Sequence, residues 1–344
     1  MYTPAARGVP GSPHVLAGSS ASGSRVLPGL INCGSVDEYR TRFRAATQFP
    51  LHAQELIDKA VTRVGMRRLS IVKDLILAGL TVPLPNWLSY TEYYWESMNQ
   101  VGGAIETMVP KARGEDQKPD RIGNRIPIYC TTDDFTYTIR EIKQSERVDS
   151  IPMDTLGIEM ATRAVNERIE NSFINGSSIN SAGLTVPGLL NAPQATSVDF
   201  SAGTWTGATG AQMQTDVIRF MDAMRDNKKW GPWRLYIPTN FSTILERPFS
   251  VASDKTIRAW LEGMSDGEDG KLTIRVADYL PADTVVMLQM SPEVVSVLVG
   301  QEPTAISWTD GPGFEFFHLV MACMIPRISH DYDNQSGIVI GTPA

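Results

Sequence analysis

The feature that most constrains the fold is one long segment, residues 154–191, in which a periodic apolar pattern ends in a dense run of helix breakers. Apolar side chains recur there every three or four residues, the spacing of one helix face: Ile158, Ala161, Val165, Ile169 and Phe173. Polar side chains fall mostly off that stripe, among them Glu159, Arg163, Asn166, Glu167 and Glu170. The pattern predicts an amphipathic helix of about six turns, roughly 30 Å long, that lies across a flat layer.

Both ends of this helix are marked in the sequence. Asp154 or Thr155 can accept a hydrogen bond from a free N–H group of the first turn. Gly176, directly after Asn175, can adopt the left-handed conformation that closes a helix. The glycine, serine and proline residues that follow, ending in PGLLN at 187–191, predict an ordered loop that carries the chain to another layer.

Length and composition point to a globular protein. At 344 residues the chain exceeds the usual size of one domain, so two lobes or one elaborated domain are expected. Hydrophobic residues at 42% and charged residues at 20% exclude wholesale disorder. A net charge of -7 argues against a protein that coats nucleic acid over its whole surface, although one basic face is compatible with it.

The cysteines and the hydropathy pattern bear on the compartment. Cys33, Cys130 and Cys323 are far apart and form no CxxC pair, so we expect a reducing compartment and structural rather than metal-binding or redox thiols. No stretch has the length of uninterrupted apolar residues that a membrane span requires, and the N-terminus lacks the apolar centre of a signal peptide. The sequence therefore predicts a soluble, cytoplasmic protein with no membrane partner.

The first third of the chain contains an arm, a helical segment and a hairpin. Residues 1–35 are rich in Gly, Ser, Pro and Ala, which predicts an arm that is disordered or ordered only against a partner. Residues 37–80 are helical in pattern, and their arginines form either a solvated face or a basic inner surface. A polar stretch at 109–121 lies between strand candidates at 104–108 and 125–129 and predicts a long β-hairpin. Such a hairpin is marginal alone and needs a neighbour to lie on.

The remainder of the chain predicts an α+β protein. An aromatic run at 87–95 and an alternating run at 135–142 are strand candidates, the second leading into the long helix. Beyond the long helix, the predicted helices are 212–225, 238–246 and 254–263. The predicted strands are 233–237, 272–276, 284–289, 294–299, 304–308, 315–325 and 337–340, and an acidic turn lies at 265–270.

No catalytic, cofactor or metal site is recognisable in the sequence. The phosphate-binding glycine loops of nucleotide enzymes are absent, and four histidines are isolated: His14, His52, His318 and His330. Residues 330–334 (HDYDN) begin like a calcium loop, but Ser336 and Thr342 stand where glycine and glutamate would be. Residues 176–180 (GSSIN) lack the second glycine of a nucleophile elbow. We therefore expect no cofactor and no enzymatic activity.

The order of elements and two short motifs resemble the Hong Kong 97-type (HK97-fold) major capsid protein of tailed bacteriophages, whose fold encapsulin shell proteins share. The first motif is NERIENSFING at 166–176, followed by GLLN at 188–191. The second is YLPAD at 279–283, similar to the family's motif before a late sheet strand. The resemblance implies an α+β fold with an N-terminal arm, an extended β-hairpin loop, a long spine helix in a peripheral domain and an α+β axial domain.

The resemblance also implies a division of the chain. Residues 1–80 would form the arm and a helical segment. Residues 81–200 would form the peripheral domain, with the extended loop at about 97–133 and the spine helix at about 154–175. Residues 201–325 would form the axial domain, and residues 326–344 would be a C-terminal strand that returns to the peripheral domain.

The resemblance further implies sites and partners. The extended loop would lie over a neighbouring subunit through charged residues at its tip, Lys111, Arg113, Glu115, Asp116, Lys118, Asp120 and Arg121. The structural spine would consist of Ile158, Val165, Ile169, Phe173 and Gly176. Hexamers and pentamers of the chain would form an icosahedral shell around double-stranded DNA, bound without sequence specificity. Scaffolding, portal and decoration proteins are further expected partners. The protein would be part of the virion capsid and would assemble in the host bacterial cytoplasm.

Two alternatives stand beside this interpretation. An encapsulin-type compartment would use the same fold to enclose cargo protein. An α+β enzyme with an unrecognised site belongs to a different class of function. Shell formation by the purified protein would separate the enzyme from the other two.

Overall fold

The computed structural model describes residues 70–98, 106, 108, 120–148, 153–181, 183–250, 253–264, 271–310 and 312–343. Its helices are α1 (Ile71–Leu77), α2 (Ile139–Val148), α3 (Met153–Asn175), α4 (Gly210–Asp226), α5 (Thr239–Leu245) and α6 (Ile257–Glu262). The first strands are β1 (Thr81–Pro83), β2 (Glu92–Met98), β3 (Arg121–Pro127), β4 (Thr131–Thr138), β5 (Ser177–Ser181), β6 (Leu184–Val186) and β7 (Thr196–Asp199). The later strands are β8 (Trp233–Ile237), β9 (Thr273–Val276), β10 (Val285–Gln289), β11 (Val295–Thr309), β12 (Glu315–Ile328) and β13 (Ile338–Thr342). The predicted arm and the predicted acidic turn at 265–270 lie outside the described residues.

The long helix predicted at residues 154–175 is present as α3, Met153–Asn175. Its predicted spine positions Ile158, Val165, Ile169 and Phe173 are all at most 1% exposed. One detail of the prediction is wrong. Asn166 and Glu170, which we placed off the buried stripe, are completely buried, because α3 is covered on more than one side.

The end of α3 is built by the glycine-rich return that follows it. Gly176 has a φ of +81°, the left-handed conformation expected of it. The return then supplies donors to carbonyl groups of the last helical turn, which no helical N–H can reach. Leu189 N–H donates to Phe173 O at 2.8 Å, Leu190 N–H to Ile174 O at 2.9 Å, and the Asn191 amide to Asn175 O at 2.7 Å.

A four-stranded sheet, in the order β1-β11-β12-β4, lies under α3. The helix covers one face of the sheet, where Val297, Val320, Ala322 and Met324 are buried in a common core with it. The strands predicted at 294–299 and 304–308 form the single strand β11. A pair of register shifts between Val299 and Thr304 accounts for the break in the sequence pattern.

The predicted strand at 135–142 is only half correct. It ends at Thr138, after a regular alternation of half-buried and exposed residues through β4, and helix α2 begins at Ile139. The Thr138 N–H donates to Glu141 Oε2 at 2.8 Å, and the Glu141 N–H donates to Thr138 Oγ1 at 3.4 Å. This reciprocal pair is a capping box, which starts a helix within a sequence that alternates like a strand.

A five-stranded sheet, in the order β7-β13-β10-β8-β9, forms the second layer. Its three central strands, β13, β10 and β8, are buried on both faces. Tyr236, Val286 and Leu288 join the core that contains α3. Leu235, Val285 and Met287 point to the opposite side, into a core shared with α4, α5 and α6. The motif YLPAD forms the turn before β10, where Asp283 accepts a hydrogen bond from Thr204 Oγ1 at 3.0 Å.

The strand pairings differ from the predicted grouping of the chain in two places. β11 and β12, most of which we assigned to the axial domain, belong to the sheet under α3. β13, expected to return to the peripheral domain, lies in the five-stranded sheet between β7 and β10. Strand partners separated by more than a hundred residues leave no local signal in the sequence.

Candidate assembly surface

The predicted extended loop begins as a β-hairpin. Strands β2 and β3 are antiparallel, with Glu92 opposite Pro127 and Met98 opposite Arg121. The strands therefore flank residues 99–120 more widely than the candidates at 104–108 and 125–129 that we proposed from the sequence. Five predicted contact residues lie outside the described part of the chain, namely Lys111, Arg113, Glu115, Asp116 and Lys118. Asp120 and Arg121 are described and lie at the ends of the strands.

The side of the hairpin that faces solvent carries acidic side chains on β2 and basic side chains on β3. We call it the outer face, and it consists of Glu92, Tyr94, Glu96, Arg121, Gly123 and Arg125. The Arg121 guanidinium lies 3.3 Å from the Glu96 carboxylate, and the Arg125 guanidinium lies 3.9 Å from Glu92. Opposite charges on facing strands stabilise the hairpin modestly, because each pair is exposed to water.

Tyr94 occupies the middle of the outer face. Its ring lies over Gly123, where an added Cβ would come within 2.7 Å of the phenol. Its hydroxyl donates a hydrogen bond to Glu96 at 2.9 Å, and this bond to a carboxylate raises the pKa of Tyr94. The ring is 53% exposed, so a large aromatic surface stands among charges with no cover from its own chain in the described residues. Such an amphipathic aromatic is typical of contact surfaces between proteins.

The opposite, inner face of the hairpin rests on the body of the protein. Tyr93 and Trp95 are stacked with their ring centroids 6.0 Å apart, and the Arg327 guanidinium lies 5.5 Å from the centre of the Trp95 ring. Ile126 is 1% exposed and packs with Leu298 and Ile325 on the face of the four-stranded sheet that α3 does not cover. The inner face of the hairpin and helix α3 thus cover that sheet from its two sides. We call the part of β2 and β3 that packs on the sheet, with Trp95 and Ile126, the hairpin foot.

Hydrogen bonds fasten the hairpin to the segment after β12. Ser97 Oγ donates to the His330 carbonyl at 3.2 Å and accepts from the Asn124 amide at 3.1 Å. The Tyr332 hydroxyl donates to Asp120 at 2.9 Å. Asp120, predicted to contact a neighbouring subunit, therefore contacts its own chain, and this bond fixes the direction in which the hairpin leaves the body.

A groove of about 380 Å³ lies between the hairpin and the return after α3. Trp95, Asn124 and Arg125 line it on the hairpin side, and Thr185, Pro187 and Asn191 line it on the other. The groove is shallow and mixed in polarity, without the convergent titratable groups that a catalytic pocket shows.

The described residues contain no cluster of His, Cys, Asp and Glu side chains that fits a metal ion. His318 is completely buried in β12 and stacks on Phe135 with centroids 4.9 Å apart. Its Nδ1 lies 2.8 Å from Ser307 Oγ, and burial lowers the pKa of the imidazole to about 4. This environment holds a neutral ring inside the sheet. Within the described part of the chain, no helix has the length and apolar character needed to cross a bilayer.

The outer face is not among the sites predicted from the sequence. Its signal is a pair of acidic residues four apart, Glu92 and Glu96, matched by a pair of basic residues four apart, Arg121 and Arg125. The aromatic run at 87–95 masks this signal, because its pattern predicts one strand. Its first part is a short 3₁₀ turn at Trp87–Ser89, and the strand begins only at Glu92.

Comparison with known proteins gives a family and a fold. A family model described as "Family of unknown function (DUF6260)" matches residues 110–341. No curated protein sequence matches the chain. Among solved structures, the virus-like particle from Pyrococcus furiosus matches with a TM-score of 0.55 at 17% identity, covering 83% of this chain and 98% of its own.

Two further structures give the same result. The capsid of Myoviridae Phage XM1 matches with a TM-score of 0.59 at 11% identity, covering 74% of this chain and 86% of its own. The capsid of a native GTA particle matches with a TM-score of 0.55 at 11% identity, covering 80% of this chain and 92% of its own. The predicted α+β, HK97-type fold is confirmed by these neighbours.

Proposed function

Because the chain belongs to DUF6260, a family of unknown function, its role has to be inferred from its fold, and we propose that it is a structural shell protein. The observation that carries this proposal is the extent of the likeness. It includes 98% of the subunit of one virus-like particle and 86% of the subunit of one phage capsid. This extent supports the proposal, because it leaves little of either subunit outside the common fold.

The hairpin supplies the main contact with a neighbouring copy. Two strands that leave the body cannot bury their outer face against their own chain, and they gain order from a second subunit. Exposed Arg, Glu and Tyr side chains on the outer face fit the mixed polar and aromatic character of a contact between subunits. The tip residues Lys111, Arg113, Glu115, Asp116 and Lys118 continue this contact beyond the foot of the hairpin.

Within the shell proteins, the role that we favour is that of a major capsid protein of a tailed phage. Phage and GTA capsids stand among the structures with this fold. Hexamers and pentamers would then form an icosahedral virion capsid around double-stranded DNA, with assembly in the bacterial cytoplasm and with scaffolding, portal and decoration proteins as partners. The alternative is an encapsulin-type compartment, which is supported by the match to the Pyrococcus furiosus particle.

The two sheets suggest how the domains of such a subunit are divided. We assign α3, β4, β11 and β12 to the peripheral domain together with the hairpin, since one sheet unites them. We assign the five-stranded sheet and helices α4, α5 and α6 to the axial domain, which then includes the C-terminal strand β13.

Charge reversal on the outer face tests the contact. Replacing Arg121 and Arg125 together by Glu places like charges beside Glu96 and Glu92, their present ion-pair partners, but exposed pairs contribute only about 0–1 kcal/mol each to folding. The variant subunits should stay folded by circular dichroism and fail to form particles in electron micrographs. The matched control replaces both residues by Lys and should assemble.

Normal particles from the doubly reversed variant would contradict the role given to the outer face.

The tip is tested separately by replacing Lys111 and Lys118 by Glu, which should also impair assembly and leave folding intact. Nuclease digestion of intact particles distinguishes a capsid that encloses DNA from a compartment that encloses cargo protein. Protected double-stranded DNA supports the phage capsid, whereas a co-purifying protein in a particle without DNA supports the compartment.

A further inference from the structure

Two cysteines that are far apart in sequence meet beside the foot of the hairpin. Cys323 lies in β12 and is completely buried, whereas Cys130 lies between β3 and β4 and is exposed. The antiparallel pairing of β12 with β4 places Ala322 opposite Thr131. One step further along both chains, the same register brings Cys323 opposite Cys130.

The separation that this register implies suits a disulfide bond. Directly opposed residues of an antiparallel pair have Cα atoms about 4.5 or 5.5 Å apart. Disulfides form across Cα separations of roughly 4.4–6.8 Å. The two thiols also lie within hydrogen-bonding reach of each other, since each shifts the pKa of the other.

The two sulfurs differ in reactivity. The hydrogen bond from Cys323 lowers the pKa of Cys130, which is the exposed member and thus the one that a dissolved reagent reaches. The same hydrogen bond, together with burial, raises the pKa of Cys323. Its sulfur is enclosed, since an added Cβ on Gly300 would lie 2.9 Å from it. An accessible thiol with a lowered pKa beside a buried partner is the arrangement of an attacking and a resolving cysteine.

We propose that Cys130 and Cys323 are an intramolecular disulfide site, oxidised by a low-molecular-weight disulfide and joining the connection between hairpin and β4 to strand β12. The Cys130 thiolate attacks one sulfur of the reagent, forms a mixed disulfide and releases one reagent thiolate. Cys323 then gives up its proton to solvent and its sulfur attacks the Cys130 sulfur. The second reagent thiolate leaves, so two protein thiols are oxidised and one reagent disulfide is reduced to two thiols.

The bond would act on the hinge of the hairpin. Cys130 follows β3 by only a few residues, so its attachment to β12 fixes the point from which the hairpin leaves the body. The closed loop, residues 130–323, contains α3 and every strand of the five-stranded sheet except β13, and constraining it restricts the unfolded chain. The inference does not rest on the proposed function, because both cysteines belong to one subunit.

Peptide mapping of the full-length protein under non-reducing conditions tests the site directly. After incubation with excess oxidised glutathione, we expect a cross-linked pair of peptides that contains Cys130 and Cys323 and disappears on reduction. The thermal unfolding temperature should rise on oxidation and return with reductant. Cys130→Ser should yield neither the linked peptides nor the shift, and Cys33→Ser should yield both.

Two results would overturn the proposal. One is a stable mixed disulfide of glutathione on Cys130 with Cys323 still reduced after prolonged incubation. The other is a Cys130 bond only to Cys33 or to a second copy, which the masses of the linked peptides identify. Because mapping distinguishes all three cysteines in the unaltered protein, the test stands even where a variant folds poorly.

Discussion

Glu170 shows how a single residue of the long helix organises its surroundings. It is completely buried in α3, and its Oε1 accepts a hydrogen bond from the Ile71 N–H at 2.8 Å while Oε2 accepts one from Val72 at 3.4 Å. Ser70 Oγ also donates to this carboxylate. The N–H groups at the start of α1 thus have a partner from another helix in place of a local cap. Burial nevertheless raises the pKa of Glu170, because these donors compensate the lost hydration only in part.

Substitution of Glu170 separates the hydrogen bonds from the charge. Glu170→Ala leaves the Ile71 N–H buried without an acceptor, and we expect a loss of about 1–3 kcal/mol in the free energy of unfolding. Glu170→Gln keeps an acceptor oxygen and removes the buried charge, so it should be close to the unaltered protein at neutral pH. Urea unfolding of the unaltered protein and the two variants measures the change in the free energy of unfolding that each substitution causes. Equal losses in Ala and Gln variants would contradict the account.

His318 predicts a loss of stability in acid. Its pKa in the folded protein is lowered to about 4 from the ordinary 6.5, so between these values the unfolded chain binds the proton more strongly. The neutral His318 ring therefore contributes to the free energy of unfolding above pH 6.5. This contribution, on the order of 3 kcal/mol in total, is lost as the pH falls toward 4.

The measurement is urea unfolding at pH 7 and pH 4.5 for the unaltered protein, His318→Gln and the control His330→Gln. The stability of His318→Gln should fall less between the two pH values than that of the other two proteins. The same fall in all three would mean that acid acts through the carboxylates alone.

At this scale the sequence predicted the apolar residues correctly and the buried polar ones incorrectly. Ile158, Val165, Ile169 and Phe173 recur with the helical period, which is a local signal. The burial of Glu170 depends on α1, which lies about a hundred residues earlier, and periodicity carries no information about such a partner.

At the scale of elements, the long helix and its return loop form one unit. The loop packs so closely on the helix end that a Cβ on Gly188 would lie 2.1 Å from Gly176 N and 2.5 Å from Ile174 O. Only glycine fits there, and the GLLN sequence is therefore explained by contact with backbone as well as by its hydrogen bonds. The sequence predicted this helix and its end because the cap, the period and the breakers are all local.

Gly188→Ala tests this unit. The backbone on both sides of the contact must move, and we expect a destabilisation of about 1–3 kcal/mol. The control is Gly207→Ala, because a Cβ at Gly207 meets nothing within 4 Å. Thermal and urea unfolding should separate the two variants clearly, and a Gly188→Ala protein as stable as the control would refute the close packing.

Other elements were predicted less well because local patterns compete. Residues 135–142 alternate in polarity as a strand does, but the Thr138 and Glu141 capping box begins α2 within that run. The strand predicted at 87–95 differs from the observed strand β2, which begins at Glu92, because the aromatic run starts with a 3₁₀ turn. In both cases a short hydrogen-bonded turn interrupts a longer sequence pattern that is typical of a strand.

At the scale of the whole molecule, the two sheets determine which surfaces of the chain are left uncovered. The four-stranded sheet is covered by α3 on one face and by the hairpin foot on the other, and the five-stranded sheet is covered on both. The outer face of the hairpin has no such cover in the described residues. The sequence predicted an α+β protein and its resemblance to shell proteins. It did not predict that β11 and β12 join the four-stranded sheet and β13 the five-stranded one, because these pairings are long-range.

Electron microscopy of the purified full-length protein, with its mass distribution in solution, tests the central claim most directly. We predict closed particles or ring-shaped capsomers of many copies, because a subunit with this fold and an uncovered hairpin face gains order by binding its neighbours. A protein that remains a monomer or small dimer under every condition of salt, pH and concentration would contradict the account.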